Sequence, residues 1–467
     1  MMKQIRISLL LAILPLWAMG QLSLPAIFAS RMVLQQQTNA PIWGTLKGGS
    51  QVEITTSWDG KHYLAKVDRD GKWRVAISTP KAGGPYTIKL SSGNLVKELK
   101  DILIGEVWLC SGQSNMTMPM KGYLNQPVLD ANELLLAADD PELRLFTVSK
   151  ATSLTEQSDC KGEWLQSNSA SAKEFSAVAY LYASMLRKRL KVPVGVIVSG
   201  WGGTKIQAWM PEGLIRRFPE IEIPTSLDGI KDRHKLPITL YNAMIAPLAG
   251  YGIKGVLWYQ GESNRKEVAG YTSWMPMMVK AWRDKWQQGD FPFYYVQLTP
   301  YSGKVGNTNG EFFREAQLNL MKTIPNSGMA VTMDAGMQYD IHPADKLTVA
   351  KRLAYWALNK QYGYTGLEVS GPILAKQVIE GSKIILSFDH AQTGVTSYGK
   401  PLTLFEVAGE DRVFHSAKAE ISVKGVEVQS DKVAKPLAVR YAFKDWTVAE
   451  LYNNEGLPAS SFRTDNW

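Results

Sequence analysis

Between Ile102 and Cys110 the chain runs nine residues with a single charge, Glu106. A run this short and this apolar does not alternate, so it fits a strand buried on both faces rather than one with a wet side. The pattern recurs. Val194 to Val198, Ile253 to Tyr259, Phe293 to Leu298 and Met329 to Met333 read the same way, and each follows a segment of helical period. Phe175, Val178, Leu181, Tyr182, Met185 and Leu186 mark one side of the first such segment. Leu240 to Leu248, Tyr271 to Trp286 and Phe312 to Met321 precede the next three strands, and Pro343 to Gln361 closes the set as a long helix. Strands that alternate with helices predict an α/β domain, its parallel sheet covered by helices on both faces. Its expected limits are residues 101–363.

Both flanks have a different rhythm. From Leu22 to Leu99 short apolar runs are punctuated by Gly, Asp and Pro, which predicts an antiparallel β-sandwich region over 21–100. After Tyr364 the β rhythm returns with Lys383–Phe388, Leu402–Val407 and Glu420–Val423, a C-terminal β-rich region over 364–467 that is free to pack against the N-terminal one. At the start, Lys3 and Arg6 precede an apolar stretch from Ile7 to Met19 that closes on Ala18-Met19-Gly20. That is the pattern of a secretory signal peptide, residues 1–20, and predicts a secreted or periplasmic product; an uncut N-terminal anchor is the alternative. No later segment offers the roughly 18 consecutive apolar residues that a spanning helix needs, so no stable membrane insertion is expected after cleavage.

Charge excludes more than it identifies. Lysine and arginine number 52 against 43 aspartates and glutamates, a net +9 with no basic run, which argues against nucleic acid and leans slightly towards an acidic substrate. Cys110 and Cys160 are the two cysteines. One disulfide or two buried thiols are both consistent with export. Without HExxH, a Walker lysine loop or GxGxxG, no metal or nucleotide cofactor is implied.

In an open parallel sheet, ligands bind beyond the carboxyl ends of the strands. Four segments there stand out: Ser111-Gly112-Gln113-Ser114-Asn115-Met116, Gly200-Trp201-Gly202-Gly203-Thr204, Gln260-Gly261-Glu262-Ser263-Asn264, and Asp334 through Asp340-Ile341-His342-Pro343. A serine nucleophile needs a base, a group to orient that base, and donors for the oxyanion. Ser114, His342 and Asp340 could supply the first three. The Ser114 amide, the Gly203 amide and a side-chain amide of the third segment could supply the donors. Met116 stands where GxSxG needs its last glycine, so this is not the elbow of α/β-hydrolases.

Gly105 through Met116, Gly200 through Thr204, Trp258 through Asn264 and Asp340-Ile341-His342-Pro343 resemble the blocks of the sialate O-acetylesterase family of SGNH hydrolases, over about residues 101 to 360. The resemblance implies a flavodoxin-like three-layer catalytic domain and deacetylation of O-acetylated sugars through an acetyl-serine. Two departures leave choices open. Asp340 lies two residues before His342 rather than three, so Asp334 competes as the orienting acid. The asparagine of the third SGNH block has no clean counterpart, and Gln260 or Asn264 could stand in, with Gln260 favoured. Gln113, Trp201, Glu262, Asn264 and Arg265 are the expected substrate contacts, and Lys205 and Lys346 lie near enough to meet a sugar carboxylate. His62, His234, His390 and His415 fall outside the four loops and read as structural.

Overall fold

In the computed structural model, which describes residues 20–303 and 308–467, one strand passes through two sheets. This is β1 (Leu95–Gly112). Its first half alternates exposed and buried residues and pairs antiparallel with the Gly83–Ser92 strand. From Ile102 onwards every residue is buried, because here the strand gains parallel neighbours on both edges and helices on both faces. The apolar run is the part of β1 that lies inside the parallel sheet.

The other strands of that sheet are β2 (Asp140–Thr147), β3 (Trp164–Ser167), β4 (Val194–Gly200), β5 (Gly255–Tyr259), β6 (Phe293–Val296) and β7 (Ser327–Ala330). Their spatial order is β3-β2-β4-β1-β5-β6-β7, parallel except for β3. The chain therefore builds outwards from β1 on one side, returns, and builds out on the other. The carboxyl ends of β4, β1 and β5 border the crevice where the direction turns. The helices that pack on the sheet or carry the site are α1 (Ser114–Thr117), α2 (Ala177–Leu190), α3 (Val268–Trp286), α4 (Gly310–Leu320) and α5 (Lys346–Tyr362). α2 and α5 share a core with Trp108, Cys110 and Val196 on one face of the sheet. α3 and α4 share the other core with Val107, Leu109 and Trp258.

Three local differences from the sequence reading have physical causes. Residues 240–248 form a π turn (Tyr241–Ile245) and a 3-10 turn (Ala246–Leu248) rather than an α-helix, and Pro247, which has no amide hydrogen, sits in the second. α5 starts at Lys346 rather than Pro343, because Asp345 accepts the Thr348 amide at 2.9 Å and caps it there. β2 and β3 escape the apolar-run criterion. Arg144 lies inside β2, nearly fully buried, and is neutralised by two hydrogen bonds to Asp101 at 2.8 and 2.9 Å.

Apart from Val33–Gln35, which pairs parallel with Leu103–Gly105 of β1, the strands of residues 20–100 lie in two antiparallel sheets, and side chains such as Ile42, Leu46, Val52, Ile54, Ile77 and Leu90 fill one core between them. Glu106, 3 % exposed, joins this region to the parallel sheet by accepting from Gln36 Nε2 (2.6 Å), Gln35 Nε2 (3.2 Å) and Tyr362 OH (2.8 Å). The C-terminal strands dock instead on the α4 side, through Arg463 to Glu315 at 2.9 Å and the Gly310 amide to Asp445 at 2.9 Å. Both cysteines are free thiols. Burial pushes the Cys110 thiol far above its ordinary range and Cys160 up to about 12. The expected signal peptide falls, but for Gly20, outside the described residues. Among the described residues no helix is long and apolar enough to cross a membrane.

Candidate active site

Ser114 follows β1 through a turn that only glycine permits. Gly112 sits at φ +138°, and a β-carbon there would stand 2.1 Å from Tyr259 O. The Gln113 amide donates to that same oxygen at 3.0 Å, so the first and third loops are tied at the backbone. The second loop presses from the other side: a β-carbon on Gly202 would lie 3.1 Å from Ser114 Cβ. Ser114 itself remains partly exposed.

The serine hydroxyl lies 2.8 Å from His342 Nε2. Asp340 does not reach the imidazole. Its Oδ1 accepts the His342 backbone amide at 2.8 Å and Gln126 Nε2 at 2.9 Å, while His342 Nδ1 lies 2.9 Å from Gln126 Oε1. The expectation that Asp340 holds the ring directly is therefore corrected. A gap of two residues leaves the carboxylate under its own loop backbone, and Gln126 bridges the rest. This order fixes every proton. A carboxylate only accepts, so Gln126 must turn its NH₂ to Asp340 and its carbonyl to the ring; Nδ1 then carries the hydrogen, and Nε2 is free to accept from Ser114. Asp334 does not compete, because both its oxygens accept from Arg352, at 2.6 and 2.7 Å.

Asn115, the next residue, is fully buried. It donates to Glu262 Oε1 and to Ile341 O (2.9 Å) and accepts from Lys346 Nζ at 2.6 Å. Lys346 is 0 % exposed, so it lies beneath the site and does not meet substrate. Burial pushes its pKa down to about 7, against the opposing pull of Glu262, Asp340 and Asp345. His342 is held below the usual histidine range, first by its own burial and then by the Lys346 charge. It is thus predominantly a neutral base near pH 7.

The third-block amides are not free. Gln260 Nε2 donates to Thr204 O (3.0 Å) and Asn264 Oδ1 (2.7 Å), and Asn264 Nδ2 donates to Gln207 Oε1 (3.0 Å) and Glu267 Oε2 (2.8 Å). With both protons of each amide spent and both residues buried, neither serves an oxyanion, and Asn264 does not touch substrate. Gln113 is 2 % exposed, and its Oε1 accepts the Gly261 and Ser263 amides at 3.3 and 3.4 Å. It braces loops rather than facing a ligand. Gly203, by contrast, is exposed at φ +72°, and a cavity of about 570 Å³ opens beside it and Ser263.

Glu262 keeps one buried oxygen, Oε2, without a partner. Arg265, 8 % exposed, has an unpartnered Nε and lies 4.9 Å over the Tyr301 ring. Trp201 is half-buried and stacks on His234, rings 4.7 Å apart and 7° from parallel. Lys205 pairs with Glu267 at 2.7 Å. Sequence reasoning missed Gln126, which lies on a connection far from any strand end and carries no local signal, and set His234 aside for the same reason.

Residues 104–358 match the family model of the carbohydrate esterases described as sialic acid-specific acetylesterases. The chain belongs to this family. It is a carboxylic ester hydrolase. The chain is similar to the sialate O-acetylesterases of Pongo abelii (31 % identical, 96 % of this chain and 94 % of that one) and Homo sapiens (30 %, with the same coverage). A solved carbohydrate acetylesterase from Xanthomonas citri superposes with a TM-score of 0.87 at 35 % identity, covering 96 % of this chain and 100 % of the other. These esterase relatives span all three regions of the chain, so the β-rich flanks belong to the shared architecture.

Proposed function

We propose that the protein is an exported serine esterase of the SGNH type that removes O-acetyl groups from carbohydrate, with O-acetylated sialic acids as favoured substrates. The observation that carries this reading is the line Ser114–His342–Gln126–Asp340, with contacts of 2.8, 2.9 and 2.9 Å. His342 Nε2 takes the Ser114 proton as Oγ bonds to the acetyl carbonyl carbon. The amides of Ser114 and Gly203 donate to the oxyanion that results. When the intermediate collapses, the bond to the sugar oxygen breaks and His342 returns the proton to that oxygen, leaving an acetyl-serine. Water then attacks with His342 as base; the acetyl–Oγ bond breaks, acetate leaves and Ser114 recovers its proton. Trp201, stacked on His234 and next to Gly202, offers a sugar the edge of its half-buried indole. Export rests on the residue 1–20 pattern.

A second reading has its own support: the 35 % identical neighbour is named only as a carbohydrate acetylesterase. A plant polysaccharide such as acetylated xylan or xyloglucan would use the same chemistry. Acetate release from O-acetylated sialic acid and from acetylated xylan, compared side by side with Ser114→Ala as control, separates the two. Release from neither, with wild-type protein, overturns both substrate assignments and turns the reading to other acetylated glycans or to a glycan-binding protein without turnover.

A further inference from the structure

When the tetrahedral intermediate collapses, His342 Nε2 returns its proton to the sugar oxygen, while the oxyanion faces the amides of Ser114 and Gly203. The departing sugar therefore stands on the histidine side of Ser114. Two loops meet on that side, residues 122–127 and 336–342, tied together by Gln126 Nε2 donating to Asp340 Oδ1 at 2.9 Å. Each carries one large apolar side chain into solvent. Leu124 is 90 % exposed, and Tyr339, at 77 %, is the most exposed aromatic ring among the described residues.

Single apolar side chains on a surface are ordinary. These two are set apart by the backbone beneath them. Tyr123 and Gln126 each donate a backbone amide to the other's carbonyl at 3.0 Å, which closes a two-residue turn with Leu124 and Asn125 at its tip. Asn125 takes the left-handed φ of +59° that the turn requires and asparagine tolerates. The Tyr123 hydroxyl donates to Ser114 O at 3.0 Å, and its ring stands 5.2 Å from the His342 ring at an angle of 70°. Leu124 is thus held next to the catalytic pair. Tyr339 is bracketed in the same way: Gln338 O accepts from the Ser302 amide and hydroxyl at 3.1 and 3.0 Å, and Asp340 accepts from Gln126 and from the His342 amide. A fixed backbone under an open ring leaves little loop entropy to lose when a ligand covers it.

The chemistry of the surface narrows the occupant. Residues 122–127 and 336–339 contain no charged side chain. An open phenol ring and a branched alkyl group on uncharged loops match a pyranose, whose C–H faces are apolar and whose hydroxyls can pair with the phenol oxygen. We infer that Tyr339 and Leu124 form the platform on which the leaving sugar rests, the ring that carries the ester. The inference rests on the carbohydrate deacetylase reading and adds to it the residues that select a sugar over a simple alcohol.

The test compares esters that share the acetyl group and differ in the alcohol: acetylated xylose, O-acetylated sialic acid and ethyl acetate, whose alcohol is too small to cover the platform. Tyr339→Ala should raise KM about fivefold to tenfold on whichever sugar the wild type deacetylates, with kcat retained. Leu124→Ala should raise it about threefold. Tyr339→Phe should keep the wild-type KM, because the ring face carries the contact, and kcat/KM on ethyl acetate should match wild type in every variant. An unchanged sugar KM for Tyr339→Ala overturns the platform and leaves the esterase intact. A matching fall on ethyl acetate also overturns it, since Tyr339 would then only brace the Asp340 loop. Wild-type protein that cleaves ethyl acetate but neither sugar overturns the substrate reading on which the platform rests.

Discussion

Two chains of side chains leave adjacent residues in opposite directions. From Ser114 the contacts run to His342, Gln126 and Asp340, every member partly open to solvent. From Asn115 they run to Lys346, Glu262 and Ile341 O, and both Asn115 and Lys346 are fully buried. Successive residues on one turn of helix point to different sides, so a single dipeptide serves both networks. The open one can pass protons to and from a substrate. The buried one cannot, but it fixes the histidine loop to the nucleophile loop through Ile341 and sets a cation beneath the imidazole.

The open chain should fail first at its head. Ser114→Ala is expected to lower kcat by about 10⁴-fold or more with an unchanged melting temperature, because it removes the bond-forming atom and buries nothing new. Next comes Gln126→Leu, with a loss of about 10²- to 10³-fold in kcat, since Nδ1–H loses its acceptor and the tautomer is no longer enforced. Asp340→Asn should cost only about tenfold. An asparagine can still accept from Gln126 and from the His342 amide, but it can also turn its NH₂ to Gln126 and so reverse the order of protons. A larger loss for Asp340→Asn than for Gln126→Leu would mean that the carboxylate reaches the ring directly in the working enzyme.

The buried chain acts on pH rather than on chemistry. Lys346 lowers the His342 pKa, so Lys346→Met should move the acid limb of kcat/KM, measured with p-nitrophenyl acetate, towards higher pH. Stability should respond as well. Lys346 titrates near 10.5 when free and at about 7 when buried, so the unfolded chain binds more protons between these values. Wild-type stability therefore falls as pH drops from about 10 through 7, and the variant should lose that slope in melting curves. An acid limb that stays in place would remove Lys346 from the account of the base.

How much of this could be read from the sequence depended on whether the residue's role is local. The parallel sheet was legible because strands buried on both faces are apolar throughout, as in Ile102–Cys110. β2 was not, because its buried Arg144 is paid for by Asp101, forty-three residues away. That Ser114 and His342 would meet was legible from strand ends and motif blocks, and the two lie 2.8 Å apart. Gln126 was not, since its use depends on Asp340 falling short of the ring. The third-block amides were misread because nothing in Gln260-Gly261-Glu262-Ser263-Asn264 tells that Gln260 and Asn264 donate to Thr204, Gln207, Glu267 and each other.

The smallest effect on activity belongs to the acid that competes with Asp340 in sequence. Asp334 is held by Arg352 through two hydrogen bonds, and the same guanidinium donates to Val331 O at 2.7 Å, just past β7. Asp334→Asn keeps one acceptor for Arg352 but removes the charge and one bond. The expected result is about 1–2 kcal/mol of lost stability, read as a lower denaturation midpoint. kcat and the acid limb should match wild type, because no hydrogen bond connects this pair to His342. A change in the pH profile of Asp334→Asn, with its fold retained, would show that the two acids share one histidine. The separation between an orienting pair, Asp340 with Gln126, and a bracing pair, Asp334 with Arg352, would then be lost.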